Sequence, residues 1–170
     1  MASPQFGAGG RGRTHPGLTD GQQAQLRYWT VFRRYANEQG TRLRVGKPQS
    51  DCVISMAIGR TDFQLSAVHA RGASHTTKLS DHIRVELAVG GRNQRSFCEQ
   101  LEARKGEIAS RLGTNPTWVR PAPGRTFRIY VSKDAPIRDP DDWPNQHRWL
   151  LDWLQKFDDV FRPLVQNLDA

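Results

Sequence analysis

The chain has 170 residues, of which 36% are hydrophobic, so it is long enough for one domain with an ordinary core and is not a wholly disordered polymer. Its formal net charge is +8 and is unevenly distributed, since residues 1–133 carry 21 basic and 9 acidic side chains and residues 134–170 carry 4 and 8. Cys52 and Cys98 form no CxxC pair, and no apolar run is long enough for a signal peptide or a membrane span, which predicts a cytoplasmic protein with two core thiols and no disulfide, zinc site or membrane partner.

A tail precedes the folded region. Residues 1–18 are rich in glycine and include Arg11 and Arg13, but they contain too few apolar side chains to form a core. We therefore expect a disordered tail over 1–18, a single α+β domain over 19–166 and a frayed C-terminus over 167–170.

The first helix and the first strands follow the tail. Thr19 and Gln22 match the pattern of a capping box, and apolar residues then recur at helical spacing until Gly40, a residue type typical of the position after a helix. Three strand-like runs follow, at 52–58, 63–67 and 82–89. The third run alternates apolar and polar residues over its whole length, which indicates a strand with one buried face. The short link between the first two runs predicts an antiparallel hairpin.

The second half of the chain contains two further helices and two further strands. A helix is predicted from Asn93 to Gly113, and another begins at the acidic segment 139–142 and loses its regular pattern at Pro163. The strands between these helices are predicted at 117–119 and 126–131. The order α-β-β-β-α-β-β-α predicts an α+β fold, in which a mostly antiparallel five-stranded sheet has helices packed on one face.

Three histidines lie close together in the sequence. The spacing of His69, His75 and His82 fits neither one face of a helix nor one face of a strand, as a metal site on a single element would require. We therefore interpret them as loop and surface histidines, and we expect no metal site from them.

Five tryptophans are many for a chain of this length. Trp29, Trp149 and Trp153 fall on the apolar stripes of helices, which is typical of core residues. Trp118 and Trp143 are flanked by prolines and charged residues, so we expect them nearer the surface.

The hypothesis of a nuclease is based on two acidic residues. The order α-β-β-β-α-β is also that of the restriction-endonuclease-like core, which places an acid on its second strand and an acid-x-Lys motif on its third, where the acids hold a divalent ion. Asp62 and Glu86 occupy comparable positions here, but Ala88 stands where the lysine is required. A degenerate nuclease that uses Asp62 and Glu86 with Mg²⁺ is therefore kept as an alternative, and no cofactor is expected otherwise.

Several short motifs recur together along the chain. They are Leu26-Arg27-Tyr28-Trp29-x-x-Phe, Ile58-Gly59-Arg60, Ile83-Arg84-Val85-Glu86-Leu87, Lys105-x-x-Ile108, Trp118, Asp142-Trp143-Pro144, Trp149-Leu150 and Phe157-x-x-x-Phe161. In this order, over about residues 22–166, they resemble the bacterial domain of unknown function family 4268. Members of that family are often the C-terminal part of longer proteins whose front half looks like a restriction-type nuclease. The resemblance implies a link to DNA, or to defence against foreign DNA, beside a nuclease partner, and it transfers no catalytic residue to this chain.

The leading hypothesis is a non-catalytic accessory domain that binds nucleic acid, with DNA favoured. Its basic first two-thirds would attract phosphate groups, and the expected binding depends steeply on salt and little on sequence. The candidate phosphate contacts are Arg27, Arg33, Arg34, Arg60, Arg84, Arg92 and Arg95. The other alternative is a protein–protein interaction module, in which the acidic final helix and exposed tryptophans dock a partner or a second copy of the chain.

Overall fold

The computed structural model describes residues 17–73, 79–120, 122 and 125–170. Most of the predicted tail and His75 lie outside these residues. Within them the elements are, in chain order, α1 (Asp20–Glu38), β1 (Val53–Met56), β2 (Phe63–Ala73), β3 (Leu79–Val89), α2 (Gln94–Glu102), α3 (Lys105–Leu112), β4 (Thr117–Val119), β5 (Phe127–Asp134) and α4 (Trp143–Gln166). No helix in this described part of the chain is both long and apolar enough to cross a membrane.

The five strands form one antiparallel sheet in the order β1-β2-β3-β5-β4. β3 lies at the centre, where Leu87 is paired with Leu65 of β2 and with Ile129 of β5. The predicted α+β class, element order and antiparallel sheet are therefore confirmed. One difference concerns the helix predicted from Asn93 to Gly113, which is divided into α2 and α3 by a turn at 103–104.

The ends of α1 are set by local hydrogen bonds. Thr19 Oγ1 accepts from the backbone N–H of Gln22 at 3.2 Å, and Gln22 Oε1 accepts from the N–H of Thr19 at 2.9 Å, so the predicted capping box is present. At the other end Gly40 adopts a φ of 66°, and the N–H of Thr41 donates to the carbonyl of Ala36 at 3.4 Å. This geometry is a Schellman motif, which favours glycine because a side chain is strained at that φ.

The core lies between the sheet and the helices. The inward-facing residues of β3 have no solvent exposure: Ile83, Val85, Leu87 and Val89. α4 packs across β2 and β3, while α1 and α3 pack against α4. Each large apolar side chain that is fully buried in this way contributes about 1.5–3 kcal/mol to folding.

α4 continues through Pro163, where the sequence pattern predicts its end. Proline has no N–H, so the carbonyl of Asp159, one turn earlier, loses its partner within the helix. Arg111 of α3 donates its Nη2 to that carbonyl at 3.3 Å. A contact from another helix thus satisfies the group that the proline leaves unpaired.

Residues 168 and 169, within the range 167–170 that the sequence predicts to be frayed, contact other parts of the fold. Leu168 is buried, and its carbonyl accepts from Arg60 Nη1 at 2.7 Å. The backbone N–H of Asp169 donates to Gln100 Oε1, and its carbonyl accepts from Gln100 Nε2, both at 2.9 Å. These side chains anchor the end of the chain to α2 and to the turn after β1.

Asp158 of α4 is a fully buried carboxylate that joins three parts of the fold. Arg42, in the segment after α1, donates its Nε to Oδ2 at 3.0 Å, and Arg162 donates its Nε to Oδ1 at 2.9 Å. Arg162 also donates Nη2 to the carbonyl of Ala57, just after β1, at 3.3 Å. Both carboxylate oxygens therefore have charged partners, as a buried ion requires.

We predict that Asp158→Ala lowers the free energy of unfolding by about 2–4 kcal/mol, because it removes the charge-assisted hydrogen bonds from Arg42 and Arg162. Urea denaturation monitored by tryptophan fluorescence measures the change. Asp159→Ala is the matched control, since this neighbouring acid also contacts Arg42 but its side chain is 64% exposed, and we expect it to cost about 1 kcal/mol or less. An equal loss in both variants would contradict the structural role of Asp158.

Candidate functional site

The seven arginines predicted to contact phosphate lie in three separate places. Three are on α1, three surround the end of the sheet near α2, and one is on β3. In that order they are Arg27, Arg33 and Arg34; Arg60, Arg92 and Arg95; and Arg84. The structure therefore divides the predicted interface and does not gather it on one surface.

Arg60 has a structural role. Its Nη1 donates to the carbonyl of Val165 at 2.8 Å as well as to that of Leu168, at the C-terminal end of α4. The guanidinium also lies over the ring of Phe97, 4.6 Å from the ring centroid. A cation at this position satisfies unpaired helix carbonyls. The predicted phosphate contact of Arg60 is therefore not supported.

Arg84 is also engaged within the protein. Its Nε lies 2.8 Å from Glu86 Oε2 as an ion pair whose atoms are not aligned for a hydrogen bond, and its guanidinium lies over the ring of Tyr130 at 5.2 Å. Arg128 of β5 approaches the other oxygen of Glu86 at 3.7 Å. Glu86 is thus a cross-strand charge partner on the sheet face opposite the core, and Arg84 is not available as a free phosphate contact.

Asp62 and Glu86 do not form a common site. Asp62 lies in the turn before β2 with a φ of 70°, and its carbonyl accepts from the N–H of Gly90 at 2.8 Å. Glu86 is paired with Ser66, four positions along the strand, which corresponds to about 13 Å. Oxygen ligands lie about 2.0–2.6 Å from Mg²⁺ or Ca²⁺, so one ion cannot bind both carboxylates. In the described ranges no group of three or more His, Cys, Asp or Glu side chains is placed to hold a metal ion.

An open groove of about 830 Å³ runs along one side of α1, and we call it the α1 groove. It is lined by Leu26, Thr30, Arg33, Arg34, Asn37, Glu38, Lys47 and Pro48. The helical residues share one side of α1 because they are spaced by three or four positions. Arg34 lies 4.0 Å from Glu38, and both side chains are mostly exposed. Arg33 and Lys47 form no ion pair with any residue that the structure describes.

Lys47 is a basic residue of this groove that the sequence analysis did not select. It lies in the irregular segment between α1 and β1, where no periodicity predicts which way a side chain faces. Arg27, by contrast, does not line the groove. Its guanidinium stands over the indole of Trp143 at 5.2 Å, on another side of α1.

His69 and His82 are buried, so their assignment to the surface is wrong. His69 continues the inward alternation of β2 after Phe63, Leu65 and Ala67, and extending that pattern by one step could have revealed it. Its imidazole stacks on Tyr28 of α1, with ring centroids 4.5 Å apart. Burial lowers the pKa of His69 from its ordinary value of 6.5 to about 4.

His147 of α4 is buried against the same tyrosine, with the two ring planes at 69° to each other. Its ring centroid lies 4.5 Å from that of Tyr28, and burial, together with His69, lowers the pKa of His147 to about 4. The hydroxyl of Tyr28 donates to Gln146 Oε1 at 3.0 Å, and burial raises the pKa of Tyr28 above its ordinary value. Two uncharged imidazoles and one phenol therefore occupy the junction of α1, β2 and α4.

The tryptophans differ in part from their predicted positions. Trp143 is buried, and its Nε1 donates to the carbonyl of Ile137 at 3.1 Å, so the expected surface position is wrong. Trp29 is fully buried as predicted. The other three are partly buried against the core: Trp118, Trp149 and Trp153.

Residues 24–165 match the domain of unknown function DUF4268. The chain belongs to this family. The match extends from the second turn of α1 nearly to the end of α4, so the α1 groove and the Tyr28 junction both lie within the DUF4268 domain. No curated protein and no solved structure matches the chain.

We predict that the DUF4268 domain loses stability in mild acid. Because folding lowers the pKa values of His69 and His147 from 6.5 to about 4, the unfolded chain binds protons more readily than the folded chain between these values. The two histidines therefore do not reduce the free energy of unfolding above pH 6.5. As the pH falls towards 4, each lowers it by roughly 3 kcal/mol. Urea denaturation across this pH range measures the slope.

His69→Phe is the control for this slope. The variant keeps an aromatic ring beside Tyr28 but removes one titrating group, so the free energy of unfolding should depend less on pH than in the unmodified chain. Acidic side chains are unchanged in the variant, so their titration cancels in the comparison. An unchanged slope would show that His69 does not contribute to acid lability.

Proposed function

We propose that this DUF4268 domain is a non-catalytic accessory domain that binds the phosphate backbone of nucleic acid, with DNA favoured, through the α1 groove. The observation that carries the proposal is the convergence of Arg33, Arg34 and Lys47 in one open groove. No strong internal ion pair restrains these three cations within the described part of the chain. Arg34 has only the exposed 4.0 Å pair with Glu38, and exposed cations without strong partners can exchange their hydration for contacts with phosphate.

The side chains of the groove favour contacts with the phosphate backbone of nucleic acid over hydrogen bonds to the edges of its bases. Thr30 and Asn37 add hydrogen-bond donors between the cations, and such side chains commonly contact phosphate oxygens. Phosphate contacts fix the position of a protein on nucleic acid but carry no direct sequence information. The proposed binding is therefore tolerant of sequence and sensitive to salt.

The distribution of charge supports the same proposal. Residues 1–133, which include the groove, carry an excess of 12 positive charges, while residues 134–170 carry an excess of 4 negative charges. A net positive excess of this size attracts a polyanion and speeds its encounter with the protein. Members of the family often have a front half that looks like a restriction-type nuclease. This resemblance supports a role beside a nuclease partner, in the processing of DNA or in defence against foreign DNA.

The α1 groove is tested by the double variant Arg33→Ala, Arg34→Ala. Each lost phosphate contact lowers the slope of log K against log salt by about 0.9, so we expect a slope that is shallower by roughly 2 and affinity at low salt that is at least about tenfold weaker. Fluorescence anisotropy of a labelled short DNA duplex, titrated at several salt concentrations, measures both quantities. RNA of the same sequence, titrated in parallel, tests the preference for DNA.

The matched control is the double variant Arg92→Ala, Arg95→Ala, which removes the same charge from the other group of exposed arginines. We expect it to retain most of the affinity. Equal losses of affinity for the duplex in both variants would mean that net charge, and not the α1 groove, provides the attraction. Cleavage of the duplex by the purified chain on addition of Mg²⁺ would overturn the non-catalytic part of the proposal.

A further inference from the structure

A second cavity lies on the other flank of α1, between its first two turns and the segment that leads into α4. This cleft has a volume of about 700 Å³, and we call it the His69 cleft. Its chemically distinctive lining residues are Arg27, Tyr28, Cys52, His69, Arg138 and Trp143. Cavities of about 300–1,000 Å³ are typical of small-molecule sites.

The floor of the cleft contains a buried polar side chain without a partner. His69 is 6% exposed, and neither of its ring nitrogens has a hydrogen-bond partner among the residues that the structure describes. Burial lowers its pKa to about 4, so at neutral pH the ring has one N–H donor and one nitrogen acceptor. Buried polar atoms in folded proteins almost always have a partner. Because His69 also lines the cleft, a bound ligand can supply one of the missing hydrogen bonds.

The walls of the cleft are aromatic. The ring of Tyr28 stacks on the imidazole of His69 at 4.5 Å and meets the indole of Trp143 edge to face at 5.2 Å. Both aromatic residues also line the cleft. Tyr28 is 1% and Trp143 is 7% exposed, so a ligand that hydrogen-bonds to His69 touches only a small part of each ring, which favours a flat ring with a polar atom at its edge.

The rim of the cleft is basic. Arg27 and Arg138 are exposed there and form no ion pair with any described residue, while Asp20 is the one acidic side chain among the described lining residues. The N-terminal turn of α1 also borders the cleft, and the partial positive charge of a helix N-terminus favours an anion. The ligand of this cleft is therefore expected to carry negative charge at its outer end.

We propose that the His69 cleft binds a heteroaromatic anion of the size and chemistry of a nucleoside monophosphate. A polar atom at the edge of the heterocycle hydrogen-bonds to one ring nitrogen of His69, its ring contacts the exposed parts of Tyr28 and Trp143, and its phosphate binds Arg27 and Arg138. This site is separate from the α1 groove and does not depend on binding there. The same chemistry occurs in a free mononucleotide and at the 5′-phosphorylated end of a nucleic-acid strand.

Cys52 provides a chemical readout of occupancy. It lies opposite His69 in the pairing of β1 with β2, where the N–H of His69 donates to the carbonyl of Cys52 at 2.9 Å. Although the sequence predicts a core thiol, Cys52 is only half-buried, whereas Cys98 is buried. A ligand in the cleft should shield Cys52 from alkylation, and Cys98 serves as the internal reference.

The experiment follows alkylation of the full chain by iodoacetamide, at mildly alkaline pH, by mass spectrometry. The probes are AMP, GMP, CMP and UMP, each tested alone, together with a 5′-phosphorylated oligothymidylate, adenosine and inorganic phosphate. We expect at least one mononucleotide or the phosphorylated strand to slow alkylation of Cys52 about tenfold at about ten times its Kd. Adenosine and inorganic phosphate, which each carry half of the proposed ligand, should protect much less.

Two substitutions test the assigned contacts. Arg138→Ala removes an exposed cation and should weaken protection without affecting folding, while His69→Phe keeps the stacked ring but removes both nitrogens. We expect His69→Phe to be at least as thermally stable as the unmodified chain, because it buries no unpaired polar atom, and to lose the rise in Tm that the ligand causes. Arg104→Ala, an exposed arginine between α2 and α3, is the matched control and should bind normally.

The outcomes separate the possible sources of the ligand. Protection by free mononucleotides assigns the cleft to small molecules, and protection by the phosphorylated strand alone assigns it to a strand end. Protection by none of the probes, equal protection by inorganic phosphate, or protection that survives both Arg138→Ala and His69→Phe would overturn the proposal. The double variant Arg33→Ala, Arg34→Ala should leave protection intact, so failure of the α1 groove and failure of this cleft are distinguishable.

Discussion

The buried carboxylate of Asp158 is the interaction on which the arrangement of the other elements depends. It joins the segment after α1, through Arg42, to the last helix, and Arg162 extends the connection to the end of β1. The relative position of α1 and α4 is thereby set by two directional charged contacts as well as by apolar packing. The His69 cleft is bounded by α1 and by the segment that enters α4, and none of the residues of this ion cluster lines it.

Much of the fold follows from local patterns, and its departures follow from contacts between distant residues. The capping box at Thr19 and the alternation in β3 are encoded within a few positions, so both could be predicted from the sequence. The continuation of α4 past Pro163 could not, because the partner of the exposed carbonyl, Arg111, lies about fifty residues earlier in the chain. The hydrogen bond from Arg60 to the carbonyl of Leu168 also joins residues that are far apart in the sequence, so it could not be predicted either.

The candidate sites were less predictable than the fold, because a sequence shows which residues are charged but not which are already paired. Arg33 and Arg60 have the same side chain, yet the structure leaves one exposed in a groove and uses the other to bind helix carbonyls. The direction in which the Lys47 side chain faces could not be predicted, because irregular segments give no periodic signal. The burial of His69 follows from the inward alternation of its own strand, and its spacing from the other histidines carries no information about burial.

The hydrogen bond between Tyr28 and Gln146 joins residues that are 118 positions apart. Closing so large a loop is slow, because the chain loses conformational entropy before the contact forms, whereas the β1-β2-β3 meander needs only short-range pairing. The contacts between α1 and α4 therefore carry a larger entropic cost than the pairing of β1, β2 and β3. A fragment that ends before α4 would keep Cys52 and His69 but would lose Trp143, one of the aromatic residues that line the cleft.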